Sequence, residues 1–228
     1  MHTTNEPPVI TIDGPSGSGK GTISRMLARE LGFHFLDSGA LYRVLAYAAQ
    51  RHGIALDDQA GLVRLCADLD IRFPSDGRDD AVLLDNEQVG QAIRSEEAGA
   101  GASRVAALPG VRKALLQRQR NFRTPPGLVA DGRDMGTVVF PRADVKLFLT
   151  ASSEERARRR CKQLKEKEIE SDYATVLADI QGRDERDSTR SVAPLRPADD
   201  AVVIDTSALD IAATMQCVRD LLKNRLNP

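Results

Sequence analysis

Residues 8–31 read PVITIDGPSGSGKGTISRMLAREL, and this stretch decides the fold. Pro8 to Asp13 is rich in β-branched residues and ends at a glycine, the pattern of a short buried strand. Lys20 to Leu31 sets Ile23, Leu27 and Leu31 on one stripe at helical spacing, with Gly32 as the stop. Between strand and helix, Gly14, Gly19 and Lys20 satisfy G-x-x-x-x-G-K. Glycines there let successive backbone N–H groups converge on phosphate oxygens, the helix dipole adds positive potential, and the lysine reaches the outer phosphates. After the lysine comes Gly21, where switch GTPases and many ATPases carry a hydroxyl that binds Mg²⁺ directly. A hydroxyl arrives one place later, at Thr22, and the guanine-reading N-K-x-D occurs nowhere in the chain.

The rest of the composition is that of an ordinary globular protein. At 228 residues, 41% hydrophobic and 29% charged, the chain can bury a sizeable core as one globular unit. A formal net charge of −1 argues against a bulk nucleic-acid binder, which carries a basic excess. Three cysteines, Cys66, Cys161 and Cys217, stand far apart in no CxxC pair, so neither a disulfide framework nor a zinc knuckle is expected. MHTTNEPP has no basic stretch followed by an apolar one, and no run is long enough to cross a bilayer; a cytoplasmic location with no membrane partner is the default expectation. A monomer is expected.

Working outward from the loop, Phe33 to Leu36 reads as a second strand, after which Asp37 or Ser38 caps a helix carrying Leu41, Leu45 and Ala48. Asp57 and Asp58 open a helix with Leu62, Leu65 and Leu69. Asp70 to Pro74 and Ala81 to Val89 read as short strands, with Asp85-Asn86 as a hairpin turn. These pieces form a small inserted subdomain. A helical stretch from about Ser95 to Arg123 is broken at Pro109-Gly110. The main sheet resumes at Leu128 to Ala130, before DGRDMGTVVFP, and at Val145 to Thr150. Ser152 and Glu155 make a capping box for the basic helix RARRRCKQLKEKE, and a further helix runs from about Tyr173 to Arg190. A strand at Ala201 to Asp205 and a helix from Ser207 to Leu226, with Ser207 and Asp210 as its capping pair, complete the chain. Strands alternating with helices predict an α/β fold, a parallel sheet covered on both faces.

Bringing a phosphoryl donor to a phosphate acceptor joins two anions, so such a site is expected to be rich in arginine, whose fork matches phosphate oxygens bidentately. The chain offers Arg43 in DSGALYR, Arg133 in DGRD, and Arg183, Asp187 and Arg190 on one face of RDERDSTR. Each cluster by itself also fits a salt-bridged surface, and Arg133 has Asp131 and Asp134 beside it.

GPSGSGKGT, LDSGALYR, ADGRDMGTVVFP and RDERDSTR, in this order and spacing, resemble the bacterial cytidylate kinases, a branch of the nucleoside monophosphate kinases. The resemblance runs from about Val9 to the C-terminal helix. It implies a P-loop NTPase-type parallel sheet flanked by helices, with a core over 8–56 and 127–228, an acceptor-binding insert over about 57–126 and a helical lid over about 156–190. It implies direct in-line transfer of the γ-phosphoryl group of ATP to CMP or dCMP, with Mg²⁺ held chiefly by phosphates and waters. Asp13 or Asp131, each at the end of an apolar run, could supply an outer-shell carboxylate, and each equally fits a structural cap or turn; no direct metal ligand is assigned.

Carried over by matching positions, Gly14, Pro15, Ser16, Gly17, Ser18, Gly19, Lys20, Gly21 and Thr22 hold the donor phosphates. Arg43, Arg133 and Arg190 bind the acceptor phosphate, and Ser38, Arg183 and Asp187 lie near its ribose. Ser103, Arg112 and Asp134 read the base, and cytosine, with an N4 amino donor beside N3 and O2 acceptors, suits a carboxylate, an arginine and a hydroxyl. Lid arginines close over the donor: Arg156 and Arg160 are the candidates, with Arg158 and Arg159 as neighbours able to serve instead. Lys20, Arg43, Arg133, Arg160 and Arg190 are thus the candidate charge-neutralising residues. A kinase for AMP, UMP or a small metabolite, and a nucleotide-dependent interaction module that turns nothing over, are the competing readings.

Overall fold

The computed structural model describes residues 6–72, 82–166 and 168–226, which form two compact units. One comprises the chain up to Leu36 together with Phe122 onward; the other is Asp37–Asn121.

The first unit is built on a five-stranded sheet. Its strands are β1 (Val9–Asp13), β2 (His34–Asp37), β6 (Leu128–Gly132), β7 (Val145–Thr150) and β8 (Val202–Asp205), in the order β2-β6-β1-β7-β8. The β1–β6, β1–β7 and β7–β8 pairs are parallel, with Asp13 opposite Gly132 and Thr150 opposite Asp205. Parallel pairing brings the carboxyl ends of these strands to one edge, where the loops that follow them gather. Every residue of β1 and β6 is buried, as strands covered on both faces must be. Ile10, Ile12, Val129, Leu147 and Leu149 pack with Ile23 and Leu27 of helix α1 (Lys20–Leu31) and with Met215, Val218 and Leu222 of α8 (Ile211–Leu226). Each such side chain contributes about 1.5–3 kcal/mol on burial. Two further helices, α6 (Ser153–Glu166) and α7 (Tyr173–Thr189), pack against one another over the stretch expected to form the lid. Ser152 caps α6 by accepting the Glu155 N–H at 3.2 Å, but only this half of the expected capping box is made: the Ser152 N–H donates to Ser207 Oγ at 2.9 Å, and the Glu155 carboxylate accepts from Arg158 and Arg159.

The start of the last helix differs from expectation. Helix α8 begins at Ile211, not Ser207, and Asp210 caps it alone by accepting the Ala213 N–H at 2.8 Å. Ser207 is held instead by Asp205, whose Oδ1 accepts its N–H at 2.8 Å, so it belongs to the turn after β8. After β6, Met135–Val139 forms a π-helical turn closed by the Phe140 N–H to the Met135 carbonyl.

The second unit packs helices α2 (Ser38–Arg51), α3 (Gln59–Asp68), α4 (Glu96–Val105) and α5 (Pro109–Arg120) around Leu45, Leu62, Val105, Val111 and Leu115. Asp37, rather than Ser38, caps α2, and Asp58 caps α3. Pro109 sits at the start of α5, where its missing N–H costs nothing. Strands β3 (Ile71–Arg72), β4 (Leu83–Leu84) and β5 (Glu87–Gln88) form an antiparallel sheet, with Asp85 and Asn86 at φ 50° and 67° in the hairpin turn. Among the described residues expected in these strands, Asp70, Val82 and Val89 lie outside them, and Phe73, Pro74 and Ala81 lie outside the described residues. Among the described residues, no helix is long and apolar enough to cross a membrane.

Candidate functional site

Strand β1 delivers the glycine loop to the carboxyl edge of the sheet. A Cβ on Gly14 would lie 1.9 Å from the Leu149 carbonyl oxygen, so only glycine lets the loop leave so close to β7. Gly19 enters α1 at φ 86°, and its carbonyl accepts the Thr22 and Ile23 N–H groups, both at 3.1 Å. The Lys20 ammonium is buried and donates to the Pro15 carbonyl oxygen at 2.9 Å, so it lies across the loop's opening arm. The buried Ser18 hydroxyl has no hydrogen-bond partner among the described residues, which leaves one loop donor for an anion.

Two carboxylates stand beside the loop. Asp13, the last residue of β1, accepts the Met135 and Gly136 N–H groups, each at 2.8 Å. Burial pushes its carboxyl up to about 7, against those two hydrogen bonds and with help from the Asp134 and Asp131 charges. Asp131 lies on β6, and a Cβ on Gly21 would come within 3.0 Å of its Oδ2. The absent hydroxyl after Lys20 therefore has a structural counterpart. A serine at 21 would crowd the Asp131 carboxylate, which already fills that side of α1.

Beyond β6, Arg133 donates its Nε to Asp187 Oδ2 at 2.9 Å and its Nη1 to the Gly132 carbonyl at 3.3 Å. Arg190, just past the end of α7, brings Nη1 to 4.0 Å from Asp187 Oδ1 and donates its Nε to the Asp187 carbonyl at 3.2 Å. Burial by itself would raise the Asp187 carboxyl; Arg133, Arg190 and Arg183 outweigh it and hold it below the ordinary carboxylate range. Burial likewise works against the Arg133 charge, and Asp187, Asp131 and Asp13 raise its guanidinium further. Arg133, Asp187, Arg190 and Arg183 therefore form one charged group, in which Arg133 pairs with Asp187.

Of the candidate lid arginines, Arg156 is buried and fully engaged. It donates to the Ala151 and Ser16 carbonyls, to Ser153 Oγ, and to both Asp184 oxygens at 3.0 and 2.5 Å. Arg159 reaches Thr206 and Glu155, Arg158 pairs with Glu155, and Arg160 Nη1 donates to Gln163 at 3.3 Å.

In the second unit, Arg43 donates Nη2 to Asp37 Oδ2 at 2.9 Å while Asp37 Oδ1 caps α2. The Arg43 Nε is buried with no hydrogen-bond partner among the described residues, a donor suited to an anion. Ser38 is buried at the start of the same helix. Arg112 on α5 is buried, donates to the Ala106 carbonyl at 3.2 Å and lies 5.7 Å above the Tyr42 ring, a cation–π distance. Ser103 is buried on α4. Asp134 is buried in the first unit, at the start of the π-helical turn.

The family model described as cytidylate kinase matches residues 10–224, nearly the whole chain. The chain belongs to the cytidylate kinase family. The cytidylate kinase of Pseudomonas paraeruginosa is 57% identical over 213 residues, covering 92% of this chain and 93% of that one. That of Aeromonas hydrophila is 57% identical over 204 residues, covering 90% and 89%, and that of Stutzerimonas stutzeri is 56% identical over 220 residues, covering 96% of each.

Four partners of the candidate residues carried no mark in the sequence: Asp184 and Thr206 in the first unit, and in the second Tyr42 and Asp37 in its second role beside Arg43. Asp37 was legible as a cap, and its ion pair with Arg43 follows from two turns of helix. Asp184 and Arg156 are 28 residues apart on different helices, and no local period links them.

Proposed function

We propose that the protein transfers the γ-phosphoryl group of ATP to CMP or dCMP, giving ADP and the nucleoside diphosphate, by direct in-line attack of an acceptor phosphate oxygen. The observation that carries the reading is the glycine loop at the head of α1, with a buried lysine and an orphan Ser18 hydroxyl, in a chain of this family. Gly14 to Thr22 hold the donor phosphates through N–H groups, and Lys20 exchanges its bond to Pro15 for the β/γ oxygens. The chemistry is largely positioning and neutralisation, because little covalent work falls to side chains in phosphoryl transfer.

Arg43, Arg133 and Arg190 take the acceptor phosphate. Their carboxylate partners, Asp37 and Asp187, keep the guanidinium planes oriented. Ser38, Arg183 and Asp187 flank the ribose. Ser103, Arg112 and Asp134 read cytosine, whose N4 amino group donates to a carboxylate where uracil would present a carbonyl. The helices over 156–190 act as the lid, with Arg160 delivered to the donor phosphates, and the insert over 57–126 receives the acceptor. Closure excludes water, which competes as an acceptor. Mg²⁺, when bound, would spread the charge of the donor phosphates. Asp131 beside Gly21 is the residue fitted to hold its water shell, whereas both Asp13 oxygens already serve backbone N–H groups.

Lys20→Ala tests the loop. Turnover is expected to fall by about 10³-fold with the fold retained; an unchanged kcat would remove Lys20 from this role.

A further inference from the structure

We propose that Thr206 and Arg156 are positioning residues, each holding one carbonyl of the glycine loop turned away so that the following N–H is aimed at the donor phosphates, a role that rests on the donor-loop reading above. In a trans peptide the carbonyl of one residue and the N–H of the next point in opposite directions. The buried Thr206 Oγ1 lies 3.1 Å from the Ser18 carbonyl oxygen, which sets the direction of the Gly19 N–H. Arg156 Nη1 lies 3.1 Å from the Ser16 carbonyl oxygen, which sets that of the Gly17 N–H. Gly17 and Gly19 sit at φ 80° and 86°, and left-handed residues alternating with their neighbours make the concave array of N–H groups that cradles an anion. The two side chains thus fix two alternate peptide planes of that array.

Both anchors are themselves restrained from outside the loop. Thr206 Oγ1 accepts the Arg159 Nη1 at 3.1 Å, so the hydroxyl's single proton is left for a carbonyl. Two carbonyls compete for it, Ser18 at 3.1 Å and Thr150 at 3.0 Å. Thr150 already accepts the Thr206 N–H at 2.8 Å, so the Ser18 carbonyl gains most from the proton. Arg156 is held by Asp184, which uses both carboxylate oxygens on its two terminal nitrogens. The turn after β8 and the middle of α7 consequently set the geometry of a loop far from either in sequence. Preorganised donors cost no reorientation when the anion arrives, so loosening either anchor is expected to weaken the donor nucleotide selectively.

Thr206→Val removes the hydroxyl at nearly constant shape, and Thr206→Ser restores it. Steady-state kinetics and equilibrium ATP binding are measured on both, beside the unaltered protein. The expected result is a KM for ATP about tenfold higher in the valine variant, recovered in the serine variant, with KM for CMP changed less than about twofold. Asp184→Asn, at a partly exposed carboxylate, gives a second reading and is expected to raise KM for ATP about threefold with the same selectivity. Unchanged KM for ATP in both variants, or equal rises for ATP and CMP, would overturn the positioning role. Failure of the unaltered protein to bind ATP would overturn the donor-loop reading itself, and this role with it.

Discussion

The Asp187 carboxylate accepts the Arg133 Nε at 2.9 Å, joining the end of α7 to the turn after β6 across 54 residues of chain. Arg190 stands on its other oxygen, so one buried carboxylate orients two of the arginines proposed to take the acceptor phosphate. Asp187→Asn keeps the shape and removes the charge. The variant is expected to lose about 3 kcal/mol of stability, since the buried carboxylate charge facing Arg133 and Arg190 is removed. Its KM for CMP is expected to rise about tenfold with KM for ATP little changed. Because the folded Asp187 carboxyl lies below its ordinary 3.8, its contribution is fully present above that pH and is lost as pH falls further. The stability gap between parent and variant should therefore narrow below about pH 3.8 in denaturant titrations.

Asp13 behaves in the opposite sense. Its folded carboxyl is raised to about 7 from 3.8, so between these values the folded state holds a proton that the unfolded chain has released. Stability from this group then falls as pH rises from about 4 to about 7 and is flat above. Asp13→Asn removes the dependence, and the variant is expected to gain on the parent across that window. A parallel course of the two unfolding curves from pH 4 to 8 would contradict the assignment.

Gly21 and Asp131 are coupled by the 3.0 Å approach of a Cβ at one to the carboxylate of the other. If Asp131 holds the water shell of Mg²⁺, Asp131→Asn should raise the Mg²⁺ concentration for half-maximal turnover about tenfold. KM for CMP should hardly move. An unaltered Mg²⁺ requirement would leave Asp131 as a packing partner of α1 alone.

Much of the fold was legible because its signals are local. The stripe of Ile23, Leu27 and Leu31, the β-branched run before Gly14 and the apolar VKLFLT each fix an element by its own periodicity, and Asp85-Asn86 fixes its hairpin. The start of α8 was misjudged because Ser207 and Asp210 both suit a cap, and only the competing acceptor Asp205 decides between them. In the candidate site, motif residues were legible and their partners were not. RDERDSTR shows its arginines at helical spacing, yet Asp187 answers to Arg133 and Asp184 to Arg156 through tertiary contacts. Thr206 has no motif at all, since its hydroxyl matters only once β8 lies beside β7 and the glycine loop.

ADP release from Mg·ATP with CMP, dCMP, UMP, AMP and GMP at one concentration, beside a control without acceptor, tests the central claim most directly. Turnover on CMP and dCMP well above UMP and the purine nucleotides is the predicted result, with little release in the control, as the proposed closure over the donor requires. Turnover greatest on another acceptor would contradict the base-reading role proposed for Ser103, Arg112 and Asp134, and no turnover with any monophosphate would contradict the phosphotransfer itself.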